Sequence, residues 1–346
     1  MVSIFVFALS ALVSYADEPI FCETPYKAVC ENASQTQADR DVRYSKFRAE
    51  VAKEATARNI PLNILLDQKV RNIETSVVLG NIKRIKRYFL AALAEQYKRG
   101  HLSFYEFVFM MRRIKDVEVW TTFRMSRHFD ASKQLLTKQL FFSKFCGTDG
   151  MSDNAFAGED GGVPYIVLCP GWLFRAAAST EGRQNSFLNL LFVMAHELGH
   201  HIDFEYFEQV YDDMNSCYTR YHGDKLQYGK HPVDALMSTL EKTGNVQYRW
   251  FARSHKVNQH AREITADFWA AQTVTRYLAT LSSENRLHAL KESFNGLCGI
   301  GDAGSHPSDE YRVDLILGGD RGIRKLMNCA VPQKKVACGL NGAETY

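Results

Sequence analysis

The sequence predicts an α+β fold in which helices dominate. Two observations predict the helices. An apolar run around Leu188–Leu198 repeats at three- and four-residue spacing, and residues from Val42 to about Leu140 show the same period with few strand signals.

From the N-terminus, Val2–Ala16 has no charged side chain, an apolar run of about ten residues from Ile4 to Val13, and Ser14-Tyr15-Ala16 before Asp17. This pattern reads as a secretory signal over residues 1–16 with a small-x-small cleavage site. The run is too short for a bilayer, which needs ~20 apolar residues, and no later segment is long enough. Residues 17–40 are expected to be an extended, disulfide-tied segment, and residues 41–145 a helical part broken at Pro61 and at Gly100–Ser103. Phe104-Tyr105-Glu106-Phe107-Val108-Phe109-Met110-Met111 reads as a buried helix rather than a membrane or docking surface, and Lys83, Arg84, Lys86 and Arg87 as a solvated helix face.

Residues 146–326 carry the chemistry. His196-Glu197-Leu198-Gly199-His200 is H-E-x-x-H on a helix with Leu188, Leu191, Met194, Ala195 and Leu198 as its apolar stripe and Asn185 or Ser186 as its cap. Residues four apart share a helix face, so His196 and His200 can bind one zinc ion together. Glu197 then stands beside the metal as a general base for water. A catalytic zinc needs a third protein ligand and an open position. Glu263 is the candidate, with Asp267 one turn on as the acceptor that holds a ligand imidazole. His201 points about 100° away from His200 around the helix.

With these residues the chain resembles the gluzincin metallopeptidases, and two further matches narrow the likeness to the HtpX-like branch, which includes the CAAX prenyl proteases. Asn154-Ala155-Phe156-Ala157 is similar to the branch's Asn-Ala-Phe-Ala signature. Ser305-His306-Pro307, with Arg312 six residues after the histidine, resembles its His-Pro-x-x-x-x-Arg element. The resemblance implies a zincin-type catalytic domain whose cleft is edged by a strand opening at Asn154, Ala155, Phe156 and Ala157, with a second strand at Tyr165–Cys169. It implies one zinc per chain on His196, His200 and Glu263, Glu197 as base and then proton donor, His306 for the oxyanion, and Asp267 and Arg312 in support. His231-Pro232 competes for the oxyanion role but has no arginine six residues on. An exposed strand edge can take up an extended peptide through backbone hydrogen bonds, so protein or peptide is the expected substrate.

Residues 327–346 read as a disulfide-stapled tail. All eight cysteines lie beyond Ala16, and their even number suits four disulfides in an oxidising, periplasmic or secretory compartment. Pairing of sequence neighbours is the simplest arrangement, with Cys146 to Cys169 and Cys217 to Cys298 flanking the functional segments. A cap on the zinc by Cys22 or Cys30 is the sharper alternative to a plain disulfide. Asn32-Ala33-Ser34 is a glycosylation sequon that matters only on a eukaryotic route. A net charge of +3 does not point to nucleic acid. The function that emerges is a zinc-dependent endopeptidase. Its alternatives are a zinc amidohydrolase on a non-protein amide such as cell-wall peptide, and a non-catalytic scaffold with a structural zinc; the second gives Glu197 no use.

Overall fold

The computed structural model describes residues 21–31, 33–73, 78–121, 146, 154–160, 162–177, 183–204, 206–222, 259–298, 306–330 and 336–345. The expected signal at 1–16, the sequon asparagine and the His231-Pro232 pair lie outside the described residues.

The segment expected to be extended is helical: α1 spans Pro25–Cys30 and α2 spans Ala33–Ala57. Pro25 opens α1 where a missing N–H costs nothing, and α2 is free of Gly and Pro and rich in Ala, Gln, Arg, Lys and Glu. Asn59, at φ 50°, and Pro61 separate α2 from α3 (Leu62–Ile73). Helix α4 (Leu79–Lys98) ends at Gly100, whose φ of 78° favours glycine. Ser103 and Glu106 then form a capping box that starts α5 (Phe104–Asp116). Only one side of α5 is buried, through Met110 and Ile114. Phe104, Tyr105 and Phe109 face solvent, which corrects the expectation of a buried aromatic helix.

Strand β1 (Glu118–Trp120) follows α5 and pairs in parallel with β3 (Val163–Leu168). Strand β2 (Ala155–Asp160) pairs antiparallel with β3 through a tight turn in which Gly162 takes φ 83°. The order β1-β3-β2 makes β2 an outer strand of this sheet. Next come α6 (Pro170–Ala177), α7 (Arg183–Gly199) with a single 3₁₀ turn at His200–Ile202, α8 (Glu208–His222) and α9 (Gln259–Leu278). Helices α10 (Ser283–Phe294), α11 (Asp309–Gly319) and α12 (Arg321–Leu326) lead to a hairpin of β4 (Val336–Gly339) and β5 (Gly342–Thr345). The chain is therefore mostly helical with a small three-stranded sheet.

Helix α7 lies at the centre. Phe192 of α7 packs on Phe294 of α10, and α4 reaches α9 through Phe89 and Trp269. At Gly199 a Cβ would come within 2.8 Å of the Ala266 Cα, so glycine is what lets α7 and α9 touch backbone to backbone. One apolar core runs from Phe21 to Leu340, so the helical N-terminal part shares it with the rest.

Four disulfides join Cys22 to Cys329, Cys30 to Cys298, Cys146 to Cys169 and Cys217 to Cys338. Neighbour pairing holds for Cys146–Cys169 and fails for the other six cysteines. The cause is packing: α1 lies against α10 and α11, which brings Cys22 and Cys30 to the far end of the chain with Cα separations of 5.3 and 5.6 Å. With both thiols bonded, neither can cap a metal.

Candidate active site

Helix α7 is apolar almost all round, with Leu188, Leu191, Met194, Ala195 and Leu198 buried, so it is a fixed rod inside the core. Toward its end His196 and Glu197 are buried polar residues. His200 follows one turn later, and α9 sets Glu263 opposite the pair. His196 Nε2 lies 3.1 Å from His200 Nε2 and 3.1 Å from Glu263 Oε2, and His200 Nε2 lies 3.7 Å from the same oxygen. Donors about 2.0–2.1 Å from a tetrahedral zinc stand about 3.3 Å apart, so these separations bracket that spacing. His306 Nε2 reaches the same oxygen at 3.0 Å, and His196, Glu263 and His306 offer ligand atoms within 4.8 Å of one another.

The outer contacts decide which ring atoms face inward. His196 Nδ1 is 2.8 Å from Asp267 Oδ1, and His200 Nδ1 is 3.2 Å from Asp203 Oδ2. A carboxylate can only accept, so each imidazole donates from Nδ1 and turns Nε2 toward Glu263, where it can take up a metal on losing its proton. Glu263 Oε2 is itself buried with no well-directed hydrogen bond. Two imidazole nitrogens and an unpartnered buried carboxylate oxygen at this spacing are a donor set that zinc takes, so the residues present fit zinc. Each carboxylate is in turn held by an arginine. Arg312 grips Asp267 through Nε at 2.8 Å and Nη2 at 2.7 Å, and Arg262 Nε donates to Asp203 at 3.0 Å.

The electrostatics follow. Burial opposes charge on His200, but the Asp203 and Glu263 contacts outweigh it and push its pKa up to about 10 without metal. Burial likewise works against the Glu263 carboxylate, yet the facing imidazoles hold it well below the usual carboxylate range. Glu197 moves the other way: burial raises its pKa, the two histidines oppose this, and nearby Glu263 adds to it. A raised carboxyl takes up a proton more readily than an ordinary one, as a general base must. His201, the residue facing away, is pushed down to about 4 by burial and by Arg113. Being neutral, it donates from Nε2 to the Tyr165 carbonyl at 3.0 Å and ties the end of α7 to β3.

The cleft in front of these groups encloses about 320 Å³ and is lined by Asn154–Gly158 of the outer strand together with His196, Glu197, His200, Tyr206, Arg262, Glu263 and His306. The Ala157 backbone hydrogen-bonds Glu197, so the strand and the buried carboxyl are in direct contact. Cys169 N–H donates to the Asn154 carbonyl, which anchors the start of β2 beside the Cys146–Cys169 bridge.

All the site residues expected from sequence come together here, Asp267 and Arg312 one layer back and Asn154, Ala155, Phe156 and Ala157 along one wall. Asp203, Arg262, Tyr206 and Arg113 were not expected. Asp203 carried a usable signal, since a carboxylate three residues after His200 lies within one turn of it; the others depend on tertiary packing.

A pair of histidines that could share a metal ion, an acidic residue from a second helix and a buried carboxyl beside an outer strand are the parts that a metallopeptidase needs. The sequence profile of peptidase family M48 matches residues 144–318, just over half of the chain. The chain belongs to peptidase family M48. M48 peptidases are zinc metallopeptidases, and the matched region contains β2, β3, α7, Glu263, Asp267, His306 and Arg312. Strand β1 and helices α4 and α5 precede the M48 match, yet β1 completes its sheet, α4 packs on α9 and α5 packs on the turn at His200–Ile202. No curated protein and no solved structure matches the chain.

Proposed function

We propose that this M48 peptidase is an exported zinc-dependent endopeptidase of the HtpX-like branch, acting on extended segments of polypeptide. The observation that carries this reading is Glu197, a buried carboxyl with a raised pKa placed between the histidine pair and the outer strand. Zinc held by His196, His200 and Glu263 would supply polarisation of the scissile carbonyl and acidify the attacking water. Glu197 takes a proton from that water and returns it to the leaving amine. His306, on the outer side of Glu263, donates to the oxygen that becomes negative. The edge of β2 holds the substrate backbone with little demand on its side chains. Arg312 keeps Asp267, and through it His196, in place. Four disulfides support the exported route, and no helix among the described residues is long and apolar enough to cross a membrane.

The test is cleavage of unfolded casein by zinc-quantified protein, with and without a chelator. Glu197→Gln is expected to keep its zinc and to lose about two to four orders of magnitude in turnover. Near-normal cleavage by that variant would remove Glu197 from the mechanism.

A further inference from the structure

A patch of exposed aromatic side chains adjoins the cleft. Phe104, Tyr105 and Phe109 of α5 keep 60%, 74% and 61% of their surface open to solvent. Tyr97, at the end of α4, meets Phe104 and stacks on Phe107 with ring centroids 4.7 Å apart. Four of the nine exposed large apolar side chains among the described residues belong to this one patch. The helix does not need them for anchorage, because Met110 and Ile114 already bury its other side. Concentrated exposed apolar surface of this kind marks an interaction site.

Its direction is informative. Tyr105, Phe109 and Arg113 recur every four residues and so lie along one face of α5, over about 12 Å at 1.5 Å per residue. The stripe ends at the cleft: Arg113 Nε donates to the His201 carbonyl at 2.7 Å, and its guanidinium pairs with Glu159 of β2. The same guanidinium lies 3.8 Å over the ring of Tyr206, which lines the cleft. The arginines beside the stripe on α5 already have carboxylate partners, Arg112 in Asp116 and Arg113 in Glu159. The surface therefore offers aromatic area with little net charge, which suits an apolar polypeptide better than an anionic bilayer.

We propose that the Tyr105–Phe109 stripe is an exosite that holds an apolar stretch of the polypeptide whose scissile bond lies in the cleft. The proposal rests on the peptidase reading and adds a substrate preference to it: long, unfolded chains with an apolar segment. An extended chain advances about 3.3 Å per residue, so the stripe takes up roughly four residues beyond those in the cleft.

The experiment compares binding of labelled, reduced and alkylated casein with binding of a hexapeptide confined to the cleft, using zinc-loaded Glu197→Gln so that nothing is cleaved. In the further variant Tyr105→Ser/Phe109→Ser, casein affinity is expected to fall at least about fivefold, as truncation of aromatic anchors does. Hexapeptide affinity, zinc content and melting temperature are expected to stay unchanged, and in the active protein KM for casein should rise without a change in kcat. Unchanged casein affinity would overturn the exosite, as would an equal loss for the hexapeptide. Binding to phosphatidylglycerol vesicles that the double substitution abolishes while casein binding persists would overturn it too, in favour of a membrane contact. Stripe-dependent casein binding by a wild-type protein that cleaves nothing would support the exosite and sink only the peptidase reading.

Discussion

Asp203 and Asp267 show how the site is built at the scale of single residues. Each fixes one imidazole by its Nδ1–H, and each is held by its own arginine, so the two ligand rings are oriented by two separate relays. Asp203→Asn is expected to weaken zinc binding about 10- to 100-fold, read by competition with a chromogenic chelator. Asp267→Asn should do the same and also cost roughly 3–5 kcal/mol, because it leaves Arg312 buried with its charge unmatched. That cost depends on pH. Burial acts to raise the Asp267 pKa, but Arg312 and His196 overcome it and bring the folded value below the ordinary 3.8. The stabilisation is thus present above pH ~3.8 and is lost as pH falls through the lowered folded pKa. Urea midpoints of metal-free wild type and Asp267→Asn should differ most near neutrality and converge in strong acid. The histidine pair was legible in the sequence because a four-residue spacing puts two side chains on one helix face. Arg262 and Tyr206 were not, since nothing local distinguishes a cleft arginine or tyrosine from a surface one.

At the scale of elements, the contact between α7 and α9 sets the distance from the histidines to Glu263. Gly199→Ala pushes a methyl group against the Ala266 backbone, which cannot swing aside as a side chain can. The expected result is about 1–3 kcal/mol of destabilisation together with weaker zinc binding, measured by urea unfolding and chelator competition. A drop in stability with unchanged zinc affinity would show that the helix spacing does not control the site. Helix α7 announced itself by its apolar period. Strand β1 did not: three residues carry too little pattern, and its pairing with β3 is a contact between segments more than forty residues apart. Aromatic α5 misled for a related reason. A Phe- and Tyr-rich helix has the same composition whether its rings fill a core or face a ligand, and only the neighbouring elements decide which.

For the whole molecule the covalent links matter most. Cys22–Cys329 and Cys30–Cys298 tie α1 to the C-terminal third of the chain, and Cys217–Cys338 ties α8 to the final hairpin. Removing Cys30–Cys298 by paired serine substitutions is expected to cost about 2–5 kcal/mol, seen as a lower melting temperature with zinc binding retained. Loss of zinc at temperatures where the variant is still folded would mean instead that α1 helps to shape the site. An even cysteine count announced the staples, but their partners could not be read, because pairing follows three-dimensional proximity and α1 folds back on helices that begin more than 250 residues later.

The two long-range bridges also govern what a nick does to the molecule. A single backbone break anywhere between Cys30 and Cys298 leaves two fragments that remain covalently joined at both Cys22–Cys329 and Cys30–Cys298. A self-cleaved molecule would therefore differ from the intact one by a single added water, and its two fragments would come apart only on reduction.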